Sequence, residues 1–275
     1  MNKLFKTALA VVFLAVLSPV QAQAACAWPL WEQFRHDYIS ADGRVIDRSD
    51  PRQITTSEGQ SYALFFSLVA NDRPTFERIE TWTRNNLMGQ KAALPAWLWG
   101  HDSKTGQWGV LDSNSASDAD LWLAWTLLEA GRLWKKPAYT RDGRQILALV
   151  RNRETASVPG LGRTLLPGPQ GFAGEGTWRL NPSYLPPFMV PRFSSLDPAW
   201  KELGATNLRL LLETAPQGFA PDWIEWDAGK GWRLSASPSP DGSYDAIRVY
   251  LWTGMMDSRD PNAARLARHF QPVVA

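Results

Sequence analysis

The chain contains a single cysteine, Cys26, so no intramolecular disulfide can form and packing must supply the stability. Its three histidines, His36, His101 and His269, are far apart and lack ligand spacing, which argues against a metal centre. No basic run occurs, and the formal net charge is only +2, so a nucleic acid is not an expected partner. The glycine-rich stretch GPQGFAGEG (Gly168 to Gly176) has no lysine and no strand signal before it, and therefore reads as a loop, not a phosphate cradle. Nothing in the chain asks for a cofactor. Strand-like alternation is also scarce.

The one conspicuous apolar stretch, Ala8 to Leu17, follows Lys3 and Lys6 and precedes Ala22-Gln23-Ala24. It is too short to span a bilayer, and the pattern fits a Sec-type signal over residues 1–25, cleaved near Ala24 or Ala25. Residues 26–275 are then expected to be periplasmic or secreted, with no stable membrane insertion. Cys26 is a poor lipidation site because Gln23 stands where such sites usually carry leucine.

Tryptophan is abundant, with 15 in 275 residues, and many fall where no helical period explains them. Trp97, Trp99, Trp108, Trp178, Trp223, Trp226 and Trp232 are of this kind. An indole offers a flat apolar face and one N–H donor, which suits a sugar ring and suits a core equally well. Both readings stay open from composition alone.

Helical signals dominate after the signal segment. Helices are expected over Trp28 to Ile39, Gln60 to Val69, and then to about Leu87 after the breaker Asn71-Asp72-Arg73-Pro74. Others are expected over Asp118 to Trp134, Ala138 to Arg151, Pro198 to Glu213, Ser243 to Met255 and Pro261 to Phe270. Long loops separate them at Gly89 to Asn114, Thr155 to Pro191 and Pro216 to Gly242. The repeating unit is helix, short turn, helix, long loop, which predicts one all-α domain of antiparallel pairs with functional loops gathered at one end.

Three acids stand at helix starts. In TTSEGQSYAL, Thr55-x-x-Glu58 and Ser57-x-x-Gln60 both have the form of capping boxes, with Ser57 as cap and Glu58 first in the helix. In SASDADLWLAWTLLEAGRLW, Ser117-x-x-Asp120 has the same form, which leaves Asp118 without a capping role on an otherwise apolar face. In DGSYDAIRVYLW, Ser243 can cap and Asp245 lies in the first turn, one turn before Arg248. Three acids that independently favour their helix dipoles would explain this pattern. So would three acids meeting at one end of a helical array.

SEGQSYAL and ASDADLWLAWTLLEAGRLW resemble two motifs of glycoside hydrolase family 8, and NPSYLPP (Asn181 to Pro187) and SYDAIRVYLW resemble two more. ACAWPLWEQF, just after the signal, adds to the resemblance, which runs from about Cys26 to the end. It implies an (α/α)6 barrel; about eight helices are legible where a full barrel takes twelve, so either the loops hide helices or the barrel is incomplete at the C-terminus. It also implies an exported endo-β-1,4-glucanase that inverts the anomeric centre, acts on a β-1,4-glucan (cellulose) chain and is linked to cellulose biosynthesis, with the cellulose synthase export complex as a possible partner. Carried over by motif, Glu58 is the proton donor, Asp118 binds the sugar at the cleavage point and orients water, and Asp245 is the general base. Trp97, Trp99, Trp178, Tyr184, Tyr244 and Arg248 are expected to bind substrate. A noncatalytic glucan-binding protein is one rival; a lyase, kept in view by Tyr184 and Arg192, is another.

Overall fold

The computed structural model describes residues 28–89, 93–235 and 242–273. The expected signal segment therefore lies outside the described residues, as does Asp241. Among the described residues there are nine α-helices, and the core is built from antiparallel pairs of them, the arrangement of an (α/α)6 barrel.

Helix α1 (Pro29–Tyr38) leads into α2 (Ser57–Val69) and α3 (Arg73–Leu87). Asn71 takes a left-handed φ of +53° in the turn between α2 and α3, and Asp72 then caps α3 by accepting from the Thr75 amide at 3.2 Å. Helices α4 (Ser117–Leu133) and α5 (Pro137–Arg153) are joined just as tightly: Lys135 turns at φ +55° and Pro137 opens α5. Two glycines let α4 and α5 approach closely. A Cβ on Gly131 would lie 2.8 Å from the Thr140 amide nitrogen, and one on Gly143 would lie 2.8 Å from the Ala124 carbonyl oxygen. Helix α4 is buried along most of its length, and Leu121, Trp122, Leu127 and Leu128 pack with Leu64, Phe76 and Ile79 in the main core. The array continues through α6 (Val190–Ser194), α7 (Ala199–Glu213), α8 (Ala246–Gly254) and α9 (Ala263–His269).

The expected long loops are not structureless. The first contributes β2 (Leu98–His101) and β3 (Trp108–Asp112), which pair antiparallel with each other and with β1 (Thr55–Thr56). The second holds the hairpin β4 (Thr155–Val158) and β5 (Gly162–Leu165) and also β6 (Thr177–Leu180). The third supplies β7 (Ile224–Asp227) and β8 (Gly231–Leu234), which extend β6 into a three-stranded sheet. These strands run only two to five residues, too short for alternation to stand out in a sequence. Two of the sheets sit where helices begin. β1 runs directly into α2, and β3 ends shortly before α4. β6 ends at Leu180, next to Asn181, whose side chain reaches the start of α8.

Among the described residues, no helix is long and apolar enough to cross a membrane.

Candidate active site

The starts of α2, α4 and α8 bring three acids together around one arginine. Arg248, in the first turn of α8, donates from Nη1 to Asp118 Oδ2 at 3.1 Å and from Nη2 to Asp245 Oδ1 at 2.7 Å. Its remaining bonds go to Tyr62 Oη at 3.3 Å and Ser183 Oγ at 3.1 Å. The guanidinium thus spends its planar fork on two carboxylates and aligns two hydroxyls, an arrangement the single ammonium of lysine does not reproduce.

Each carboxylate has a second support. Asp118 Oδ1 accepts from the Ala119 amide at 2.9 Å, and Asp245 Oδ2 accepts from Asn181 Nδ2 at 2.8 Å. Asn181 Oδ1 in turn accepts from the Ser183 amide at 3.0 Å and from Ser183 Oγ at 2.8 Å. Trp252 Nε1 holds the Ser183 carbonyl at 3.0 Å. Asn181 and Ser183 were not among the expected site residues, although NPSYLPP contains both. Tyr62 sits on α2 at a spacing that fits an apolar helix face, which by itself gives no sign of this bond.

Glu58 differs from the other two acids. Among the described residues no cation bonds to it, and the one side chain within hydrogen-bond range is Ser57 Oγ, at a long 3.4 Å. Burial pushes its carboxyl up to about 7, and the negative charge of Asp118 adds to the shift. Burial also raises Asp118, with the Arg248 charge pulling the other way. Burial and the charge of Asp118 raise both the Tyr62 and the Tyr184 phenols, so each stays protonated. The result is one acid that holds a proton near neutrality beside two that share a cation.

The expected helix caps are partly different. Thr56, not Thr55 or Ser57, caps α2: its Oγ1 accepts from the Gly59 amide at 3.1 Å. Gln60 closes no capping box. Its Oε1 accepts from the Val45 amide at 2.6 Å and its Nε2 donates to Thr83 Oγ1 at 2.8 Å, bracing the loop before α2 against α3. Asp120 does not cap α4 either, since Ala116 occupies the cap position and no side chain bonds there. Helix α8 begins at Ala246 with Asp245 at its cap position, and the capping acceptor comes from Asp222, far away in sequence. Asp222 Oδ1 accepts from the Ser243 and Ala246 amides, each at 2.7 Å, and Ser243 Oγ donates to the same carboxylate.

The aromatic candidates divide. Trp97 is half-buried, and its carbonyl accepts from the Ser57 amide at 3.0 Å, which ties it beside Glu58. Tyr184 is half-buried with Arg248 over its ring at 5.6 Å, and Trp223 meets it edge-on at 5.7 Å. Trp223 also stacks parallel to Phe172 at 6.0 Å, so an aromatic row leads up to Tyr184. Trp99 is not a free platform: Arg44 lies 4.3 Å from its ring centre, Trp108 stacks on it at 5.4 Å and Trp82 meets it edge-on. Trp178 packs against the small core of Leu180, Ile224 and Trp226. Tyr244 is 92% exposed and stands outside the hydrogen-bonded array. Arg192 bonds Glu129 at 3.1 Å and takes no part in the cluster of acids.

The family model for glycosyl hydrolases family 8 matches residues 1–275. The chain belongs to glycosyl hydrolases family 8. It is similar to an endoglucanase of Salmonella typhi, 56% identical over 96% of this chain and 72% of the relative. An endoglucanase of Escherichia coli strain K12 is 54% identical over the same shares. Among solved structures, the endo-1,4-D-glucanase of Vibrio fischeri ES114 matches with a TM-score of 0.86 and 48% identity, covering 90% of this chain and 72% of that one. An endo-β-1,4-glucanase of Acetobacter xylinum matches with a TM-score of 0.78 and 29% identity, covering 88% and 75%. The family 8 chain is therefore a glycoside hydrolase, with its acids set at the starts of three packed helices.

Proposed function

We propose that this family 8 hydrolase is an endo-β-1,4-glucanase that cuts cellulose-type chains internally with inversion at the anomeric carbon. The observation that carries this reading is the asymmetry of the three acids. Asp118 and Asp245 are tied to Arg248, whereas Glu58 is protonated near neutrality and, among the described residues, no cation bonds to it. Acetal hydrolysis needs that division, with one carboxyl to protonate the leaving oxygen and one carboxylate to activate a water behind the sugar.

In this reading Glu58 donates its proton to the glycosidic oxygen as the C1–O bond breaks. Asp245, held by Arg248 and Asn181, takes a proton from water as the water oxygen bonds to C1. Asp118 holds the ring at the point of cleavage and orients the water. Tyr184 and Tyr62, kept neutral, supply hydroxyl donors. Trp97 beside Glu58 and Trp223 beside Tyr184 are the best placed indoles to stack on glucose rings. The names of the relatives support a β-1,4-glucan substrate, the signal-like N-terminus supports a periplasmic or secreted enzyme, and the motif resemblance, ACAWPLWEQF included, supports a link to cellulose biosynthesis.

A lyase would need a deprotonated base, and the upward shift of the Tyr184 phenol opposes that role. A noncatalytic glucan binder would have no use for a buried, proton-bearing glutamate near two ion-paired aspartates. Viscometry of a soluble β-1,4-glucan tests the proposal. A steep fall in viscosity for few new reducing ends, with saturated oligosaccharide products, is expected. Release of monomer or dimer from chain ends alone, or unsaturated products, contradicts it.

A further inference from the structure

Two more carboxyls lie directly behind this site, and neither capping nor the acid–base chemistry uses them. Asp120 is on α4, two residues past Asp118, and Glu154 follows the last residue of α5; both are fully buried. Their carboxyls face each other within hydrogen-bonding range. Glu154 Oε1 accepts from Ser115 Oγ at 2.6 Å. Among the described residues, no donor reaches either oxygen of Asp120 or Glu154 Oε2. Ionised carboxylates only accept hydrogen bonds, so two of them in contact repel unless a proton lies between them. The surroundings favour holding that proton. Burial pushes Glu154 up to about 8 and Asp120 well above its ordinary range, the charge of Asp118 raises both further, and Arg153 is the cation that acts against this at Glu154.

The backbone around the pair forms a closed tie. The Glu154 carbonyl accepts from the Leu166 amide at 2.7 Å, and the Pro167 carbonyl accepts from the Ser117 amide at 2.9 Å. Ser117 and Asp120 thus anchor the first turn of α4 on either side of Asp118, to two parts of the chain that are themselves bonded together.

We propose that Asp120 and Glu154 share one proton and act as a positioning pair that fixes the first turn of α4, so that Asp118 meets both Arg248 and the sugar. This rests on the reading of Asp118 as a substrate-binding acid. An amide can stand in for the shared proton, because an N–H then donates to the remaining carboxylate. Asp120→Asn and Glu154→Gln should therefore restore most of the kcat that Asp120→Ala and Glu154→Ala lose, a loss of about 10²-fold for a displaced catalytic group. The amide variants are close in size to the native residues and keep the test available when an alanine variant fails to fold.

Two readouts separate the shared proton from simple packing. The native pair binds protons that an unfolded carboxyl, with a pKa of about 4.3, has lost. Stability is then complete below that pH and falls as pH rises toward about 8. The melting temperature should decline across this window, and Glu154→Gln should reduce the slope. In a Glu58→Gln background, infrared spectra near pH 6.5 should show the carbonyl stretch of a protonated carboxyl, and adding Glu154→Gln should remove it. An absent band, an unchanged slope, or amide variants as damaged as the alanine ones would overturn the pair. Normal turnover by Asp118→Asn, with band and slope intact, would instead overturn the reading of Asp118 and leave the shared proton standing.

Discussion

Replacing Arg248 by leucine should unbalance the whole site, and the size of the effect follows from its bonds. The guanidinium makes charge-assisted bonds to Asp118 and Asp245 and neutral bonds to Tyr62 and Ser183. The Asp118 side chain is only 3% exposed, so losing its cation leaves a buried, unpaired charge. Breaking a buried pair in this way costs about 3–5 kcal/mol. The Asp245 side chain keeps 27% exposure and water can partly replace its partner, so the lower end, about 3 kcal/mol, is expected. Chemical unfolding at pH 7 reads this directly. The deficit should shrink as pH falls. Without Arg248 the Asp118 carboxyl lies still further above its unfolded value, so its contribution to stability is complete at low pH and lost as pH rises. Turnover should drop by about 10²-fold through misplaced acids. Because Arg248 normally holds Glu58 down, the alkaline limb of the pH–rate profile should move above its native position near 7. Native stability at pH 7, or a deficit that does not change with pH, would refute the claim that this arginine neutralises the acids.

Glu58→Gln and Asp245→Asn should each remove nearly all hydrolysis of soluble β-1,4-glucan while circular dichroism stays native, and Asp118→Asn should lose activity severely; near-normal turnover in either of the first two sinks its assignment. Asp222→Ala should cost about 1–2 kcal/mol in an unfolding titration through the lost cap of α8, and should lower kcat by loosening Asp245. Trp97→Ala or Trp223→Ala should weaken binding of a long oligosaccharide by about 1–3 kcal/mol, by analogy with stacking losses on flat ligands, with calorimetry as the check.

What a sequence can and cannot carry is clear from particular residues. The helices were legible because their apolar periodicity runs for many turns, as in α4, and because Asp72 with Pro74 and Pro137 mark starts. The three acids were legible through motifs and helix-start positions. Their partners were less so. Asp120 matches a capping box, yet its partner Glu154 lies just past the end of the next helix, and local spacing carries no information about that contact. Asp222 caps α8 from 24 residues away for the same reason. Gln60 looks like the end of a capping box but braces Val45 and Thr83, so tertiary contacts overrode the local option. Trp99 has the flat face that sugar stacking wants, but only the fold reveals Arg44 and Trp108 lying over it. The four-residue strands disappear inside glycine-rich loops because two alternations do not rise above chance.

The central claim is that Glu58 and Asp245 act from opposite faces of the sugar, with a water between base and anomeric carbon. Proton NMR during the first minutes of cellopentaose hydrolysis tests it most directly, before mutarotation mixes the anomers. Each cut of a β-linkage should give an α-configured reducing end first. Initial appearance of the β-anomer would contradict it, and would demand a covalent intermediate on a carboxylate about 5–5.5 Å from the acid.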